Sequence, residues 1–248
     1  MLKICITTIA IETSVSVYEH NRYLEAAKKL IITNLIHTTY DIVLLTNKPE
    51  FFSGFTTPRL IVIDYDENFN ESTISGKKFN MHTKRHSIYI AQKLGYDIIY
   101  YNDCDCFITG WDDLSFEERC MDDCDVTFTK PPTPQLKGLR TTYKSFQEII
   151  DNEFGDLYQP EFDNAPNPAE TRIIFKNNNK LTAFLSFWDK ISERNNNYFT
   201  YHDGIYIGTS VIYAKMKSCG TVRTDNFIKY CRIQHGKNIL NYFGNKHK

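Results

Sequence analysis

No surplus of either charge marks this chain: 29 Lys and Arg stand against 30 Asp and Glu, a net charge of −1. That excludes the basic footprint of a nucleic-acid-binding domain and the polybasic patch of a lipid-surface anchor. No apolar run approaches the roughly 20 residues that a membrane-spanning helix needs. The first such run, residues 4–11, is short and lacks a small-residue cleavage site, so it reads as a strand and not a secretory signal. Internal repeats and interdomain linkers are missing too, so residues 1–248 read as one domain. The seven cysteines are odd in number and scattered, unlike a secreted disulfide framework, and read as reduced thiols in a soluble cytoplasmic protein. Cys104-x-Cys106 and Cys120-x₃-Cys124 do not match the ribbon or finger spacings of zinc sites.

What is present is a series of short, wholly apolar runs separated by helical patterns. Residues 3–10 (KICITTIA), 41–47 (DIVLLTN), 60–65 (LIVIDY), 98–101 (IIYY), 125–129 (DVTFT), 172–176 (RIIFK) and 227–233 read as strands. Val17, Leu24, Ala27, Leu30, Ile31 and Leu35 recur at helical spacing, as do Ile88, Ala91 and Leu94, then Tyr143, Phe146, Ile149 and Ile150. Leu181, Phe184, Leu185, Trp188 and Ile191 give the clearest amphipathic helix, and residues 205–216 fit helix or strand equally. Apolar strands alternating with helices predict an α/β fold, with a mainly parallel sheet covered on both faces.

The stretch that organises the chain is residues 95–113, where the apolar run Ile98–Tyr101 ends on Asp103-Cys104-Asp105. Two carboxylates one residue apart at a strand end can converge on one divalent cation and its phosphates. Hard oxygen donors of this kind suit Mn²⁺ or Mg²⁺. The helix preceding this strand, over about 81–94, carries Lys84 in its first turn. A helix feeding a parallel strand starts near the carboxyl edge of the sheet, where ligands bind in open α/β folds.

An Asp-x-Asp at this strand end resembles that of the GT-A nucleotide-sugar glycosyltransferases. The resemblance covers most of the chain in element order. It implies a GT-A fold with a nucleotide-binding half, 1–113, and an acceptor half, 114–248. It implies that Asp103 faces the ribose and metal, that Asp105 ligates the metal directly, and that Thr7 and Thr8 contact the base and ribose. His235-Gly236-Lys237 looks like the late His element of such enzymes, with His235 as a third metal ligand and Lys237 reaching the diphosphate. The implied cofactor is Mn²⁺ or Mg²⁺, the implied donor a nucleotide sugar (a UDP-sugar above all), and the acceptor a glycan or other hydroxyl compound.

Glycosyl transfer builds charge on the leaving diphosphate, which Lys84 and Lys237 are suited to neutralise. An inverting reaction also needs a carboxylate to take the acceptor's proton. Asp203, in His-Asp-Gly, and Glu170, just before the strand at 172–176, are the two candidates. Two other readings stand beside this one: a sugar-nucleotide nucleotidyltransferase and a non-catalytic nucleotide or sugar-binding module. The first usually carries a Gly-rich loop after its first strand, and residues 11–18 (IETSVSVY) contain no glycine.

Overall fold

A computed structural model describes residues 2–12, 22–65, 83–113, 116–117, 123–128, 133–134, 165–167, 172–194, 203–219 and 228–232. The elements are β1 (Ile4–Ala10), α1 (Arg22–His37), β2 (Asp41–Thr46), β3 (Leu60–Asp64), α2 (Lys84–Lys93), β4 (Ile98–Asn102) and β5 (Cys106–Trp111). There follow β6 (Val126–Phe128), β7 (Thr133–Pro134), β8 (Pro166–Asn167), β9 (Arg172–Lys176), α3 (Asn179–Arg194), α4 (Asp203–Tyr213), β10 (Ser218–Cys219) and β11 (Ile228–Arg232). Seven strands form one mixed sheet in the order β10-β6-β9-β4-β1-β2-β3. Every pairing in it is parallel except those of β9, which runs antiparallel between β4 and β6. The sheet draws strands from both halves of the chain.

The expected α/β architecture is the observed one. Central strands β1, β2 and β4 are buried along almost their whole length because both faces of the sheet are covered. Edge strand β3 is only half-buried. One face packs Ile88 and Ala91 of α2, Phe184 and Trp188 of α3, and Ile207 and Val211 of α4 against Ile99, Tyr101 and Phe175 of the sheet. The opposite face carries α1 and the antiparallel pair β5–β11, with Ile108 and Phe116 packed on Ile6, Tyr100 and Ile174.

Local chemistry sets the helix ends. Asn178 Oδ1 accepts the Lys180 and Leu181 amides and caps α3. Gly95, at φ 75°, takes the left-handed turn that ends α2, its amide donating to Gln92 O. This placement corrects the expected stripe of α2: Leu94 lies beyond the last helical turn and is 37% exposed. Residues 203–213 are helical, which resolves the ambiguous segment. All of residues 206–211 are buried, so no polar face was present to reveal a period. Val17 and the helix expected around residues 143–150 lie outside the described residues.

The thiol reading also needs correction. Cys124 and Cys219 are joined by a disulfide, with Cα atoms 5.8 Å apart. The parallel β6–β10 pairing, which sets Cys219 opposite Thr127, brings the two cysteines together across 95 residues of sequence. Spacing in the sequence does not disclose such a pair, and the cytoplasmic argument from unpaired thiols falls with it. Among the described residues, Cys5, Cys104 and Cys106 form no disulfide and are buried. No helix among the described residues is long and apolar enough to cross a membrane.

At the amino edge of the same strands, Asp125 accepts hydrogen bonds from Asn178 Nδ2 at 2.8 Å, Lys180 Nζ at 2.6 Å and the Lys217 amide at 2.7 Å. Burial pushes its carboxyl up, but Lys180, the Lys217 amide and Asn178 together outweigh burial and hold it below the ordinary 3.8. A depressed carboxyl contributes stability that is complete above its unfolded value and is lost as pH falls through the folded one.

Two outcomes are expected. Reducing the disulfide, or Cys219→Ser, should lower stability in urea by about 2–4 kcal/mol, since it releases a long closed loop in the unfolded chain; an unchanged midpoint would refute this. Asp125→Asn should be less stable than wild type at neutral pH, with the gap closing below pH 3.8. A gap of constant size across that range would assign the effect to packing instead.

Candidate functional site

The chain leaves β1 through α1 to β2 and β3 on one side, then crosses by α2 to β4 on the other side of β1. The carboxyl ends of β1 and β4 therefore flank the topological switch point, the usual ligand position in open α/β sheets. Four elements deliver residues to this edge. β4 ends there, α2 starts there, β9 starts there because it is antiparallel, and α4 starts there because it precedes β10, which is parallel to β6.

Asp103, Cys104 and Asp105 form the turn between β4 and β5, closed by the Cys106 amide donating to Asp103 O at 2.9 Å. Asp103 Oδ1 accepts the Tyr101 hydroxyl at 2.6 Å and lies 3.1 Å from Lys84 Nζ. Lys84 and Asp103 side chains are 11% and 13% exposed, so the pair is only lightly screened by solvent. The structure thus brings together two of the sequence-predicted residues, Lys84 and Asp103. Lys84 occupies the positive end of a helix that has no acidic residue in its first turn, an unfavourable place for an ammonium. Its neighbour Arg85 is also buried, and donates from Nε to Asp189 Oδ1 of α3 at 2.8 Å. Carboxylates from β4 and α3 thus compensate both cations.

Asp105 is half-buried, with Oδ1 3.6 Å from Cys106 Sγ. Between the carboxylates, Cys104 is enclosed. Burial pushes its thiol up, Asp105, Asp103 and Cys106 add to that, and Lys84 opposes it, so it remains a protonated core thiol. The accessible donors of the turn are therefore hard oxygens, which fit Mn²⁺ or Mg²⁺ and not a soft metal. Among the described residues no group of three or more His, Cys, Asp or Glu is arranged to hold a metal ion.

Thr7 and Thr8 are both fully buried. The Thr7 hydroxyl lies 3.2 Å from Val43 O and 3.1 Å from Ser87 O, tying β1 to β2 and α2. Consecutive strand residues point to opposite faces, so Thr8 turns the other way, and its Oγ1 has no hydrogen-bond partner among the described residues. Both threonines sit before the strand end at Ala10. Asp203 is the first residue of α4, at the carboxyl edge. Glu170, His235 and Lys237 lie outside the described residues.

Three residues at this edge went unnoticed in the sequence. Tyr101 was legible in principle, since strand alternation puts residues 101 and 103 on one face. Asn102 was hidden inside the apolar run, where it is fully buried and donates from Nδ2 to Cys106 O at 2.8 Å. Arg172, 2% exposed, stands opposite Asn102 in the β4–β9 register, and only the strand pairing reveals that.

No protein-family model matches the chain, and no curated protein matches it. Among solved structures it is similar to the galactosyltransferase LgtC in complex with donor and acceptor sugar analogs. The TM-score is 0.47 at 12% identity, covering 87% of this chain and 72% of that one.

Tyr101→Phe removes a hydrogen bond to an ionised acceptor and should cost about 1.5–3 kcal/mol in urea unfolding. Lys84→Met should destabilise by about 1–3 kcal/mol, less than breaking a fully enclosed pair. Wild-type midpoints for both variants would show that neither contact holds Asp103.

Proposed function

We propose that the chain is a metal-dependent glycosyltransferase of GT-A type, moving a sugar from a nucleotide sugar, foremost a UDP-sugar, to a glycan or other hydroxyl acceptor. The observation that carries this reading is the pairing of Lys84 with Asp103, two residues from Asp105, at the switch point between β1 and β4. Fold likeness alone would not license a function; the residue types at this edge are what support this reading.

In this reading Asp103 and Asp105 hold Mn²⁺ or Mg²⁺, and His235 is the third ligand. The β5–β11 register lends support, since Arg232 pairs with Cys106, the residue after Asp105. His235 is three residues beyond Arg232, a reach of at most about 11 Å from the turn's own ladder. The bound cation would supply charge neutralisation to the departing diphosphate. Lys84 shares its ammonium between Asp103 and the phosphates, and Lys237 adds a second positive charge. Each is most valuable where water is excluded and charge is developing. Asp203, at the start of α4, takes the acceptor hydroxyl's proton if the reaction inverts configuration, with Glu170 as the alternative base. Thr7 serves the site only indirectly, by fixing α2 against β1.

Calorimetry of UDP and GDP, with Mn²⁺ and then EDTA, tests the reading. UDP should bind with Mn²⁺, lose that binding in EDTA, and bind Asp105→Ala at least about 10-fold more weakly, as loss of a ligand or its support typically costs. Binding indifferent to both metal and mutation would overturn the assignment. Release of UDP from a UDP-sugar separates the enzyme from a binding module, which consumes no donor.

A further inference from the structure

We infer that Asn102 is a positioning residue for the Asp103–Asp105 turn, setting the spacing of the two carboxylates through the Cys106 backbone; the inference rests on the metal-site reading above. Both main-chain groups of Cys106 are tied back to the end of β4. Its amide donates to Asp103 O at 2.9 Å, and its carbonyl accepts Asn102 Nδ2 at 2.8 Å. The segment carrying the carboxylates is therefore closed at its far end by two hydrogen bonds, and the directions in which Asp103 and Asp105 leave the backbone follow from that closure.

For stability an amide here is a mixed gain: Nδ2 satisfies the Cys106 carbonyl, but Oδ1 is left unpaired among the described residues. The rest of β4 is Ile98, Ile99, Tyr100 and Tyr101, and Asn102 is completely enclosed. Asn102 Oδ1 has no hydrogen-bond partner among the described residues. A buried amide with an unpaired acceptor is disfavoured relative to an apolar side chain of similar volume. What Asn provides and Leu does not is the Nδ2 donor, and that donor goes to the turn. Tyr101 complements it, its hydroxyl holding Asp103 Oδ1 directly. Outer contacts that orient metal-ligating carboxylates typically change metal affinity by about 10- to 100-fold when removed.

The test compares Asn102→Leu and Asn102→Ser with wild type and Asp105→Ala, reading melting temperature, hydrogen exchange of the Cys106 amide, and Mn²⁺ affinity by calorimetry. Asn102→Leu trades an unpaired acceptor for a lost donor and should melt close to the wild-type temperature, exchange Cys106 faster, and bind Mn²⁺ about 10- to 100-fold more weakly. Asn102→Ser, which keeps a shorter donor, should recover part of that affinity. Wild-type exchange and affinity in Asn102→Leu would overturn the inference. If that variant does not fold, Asn102→Ser decides: intermediate affinity upholds the inference and wild-type affinity overturns it. If the wild type itself takes up no Mn²⁺, the metal reading fails, and the Cys106 exchange rate alone shows whether Asn102 sets the turn.

Discussion

The Lys84–Asp103 ion pair is the contact on which the arrangement of this edge depends. It joins the first turn of α2 to the end of β4, the two elements that enter and leave the crossover at the switch point. Asp103 offsets the unfavourable placement of the Lys84 ammonium at the positive end of its own helix, and Lys84, with the Tyr101 hydroxyl, offsets the Asp103 carboxylate beside the neighbouring Asp105. Each charge makes the other tolerable, and together they pin the helix start to the turn. The Arg85–Asp189 contact repeats the device one residue later and ties the same helix start to α3.

Much of this was legible because the strands are continuous apolar runs of β-branched residues, whose lengths vary little once both faces are buried. The segment at 172–176 was readable to the residue, and its antiparallel direction was not, since direction belongs to the connections and not to the strand itself. Helix α4 could not be told from a strand, because periodicity needs a polar face and this helix is nearly surrounded. Of the candidate site, Lys84, Asp103 and Asp105 stood out through residue type and position relative to a predicted strand. Asn102 and Arg172 did not. Their proximity is a matter of register across β4 and β9, which are about seventy residues apart in sequence.

The threonines show that residue type alone does not say how a hydroxyl near a strand end is used. A hydroxyl pair near the end of a first strand suggests ligand contact, yet two residues short of the edge it lies in the core. There the Thr7 hydroxyl satisfies backbone carbonyls of β2 and α2, a structural use that the sequence alone does not distinguish from a binding one.

The pairing of β11 with β5 has a consequence for the order in which the molecule is made. Residues 106–111 leave the ribosome more than a hundred residues before residues 228–232, which form the other half of their two-stranded sheet. At typical synthesis rates of about 5–20 residues per second, the aspartate turn spends several seconds with its neighbouring strand edge unmatched. A nascent chain thus leaves the β11 side of β5 unmatched until residues 228–232 have been made, however early the surrounding sheet begins to assemble.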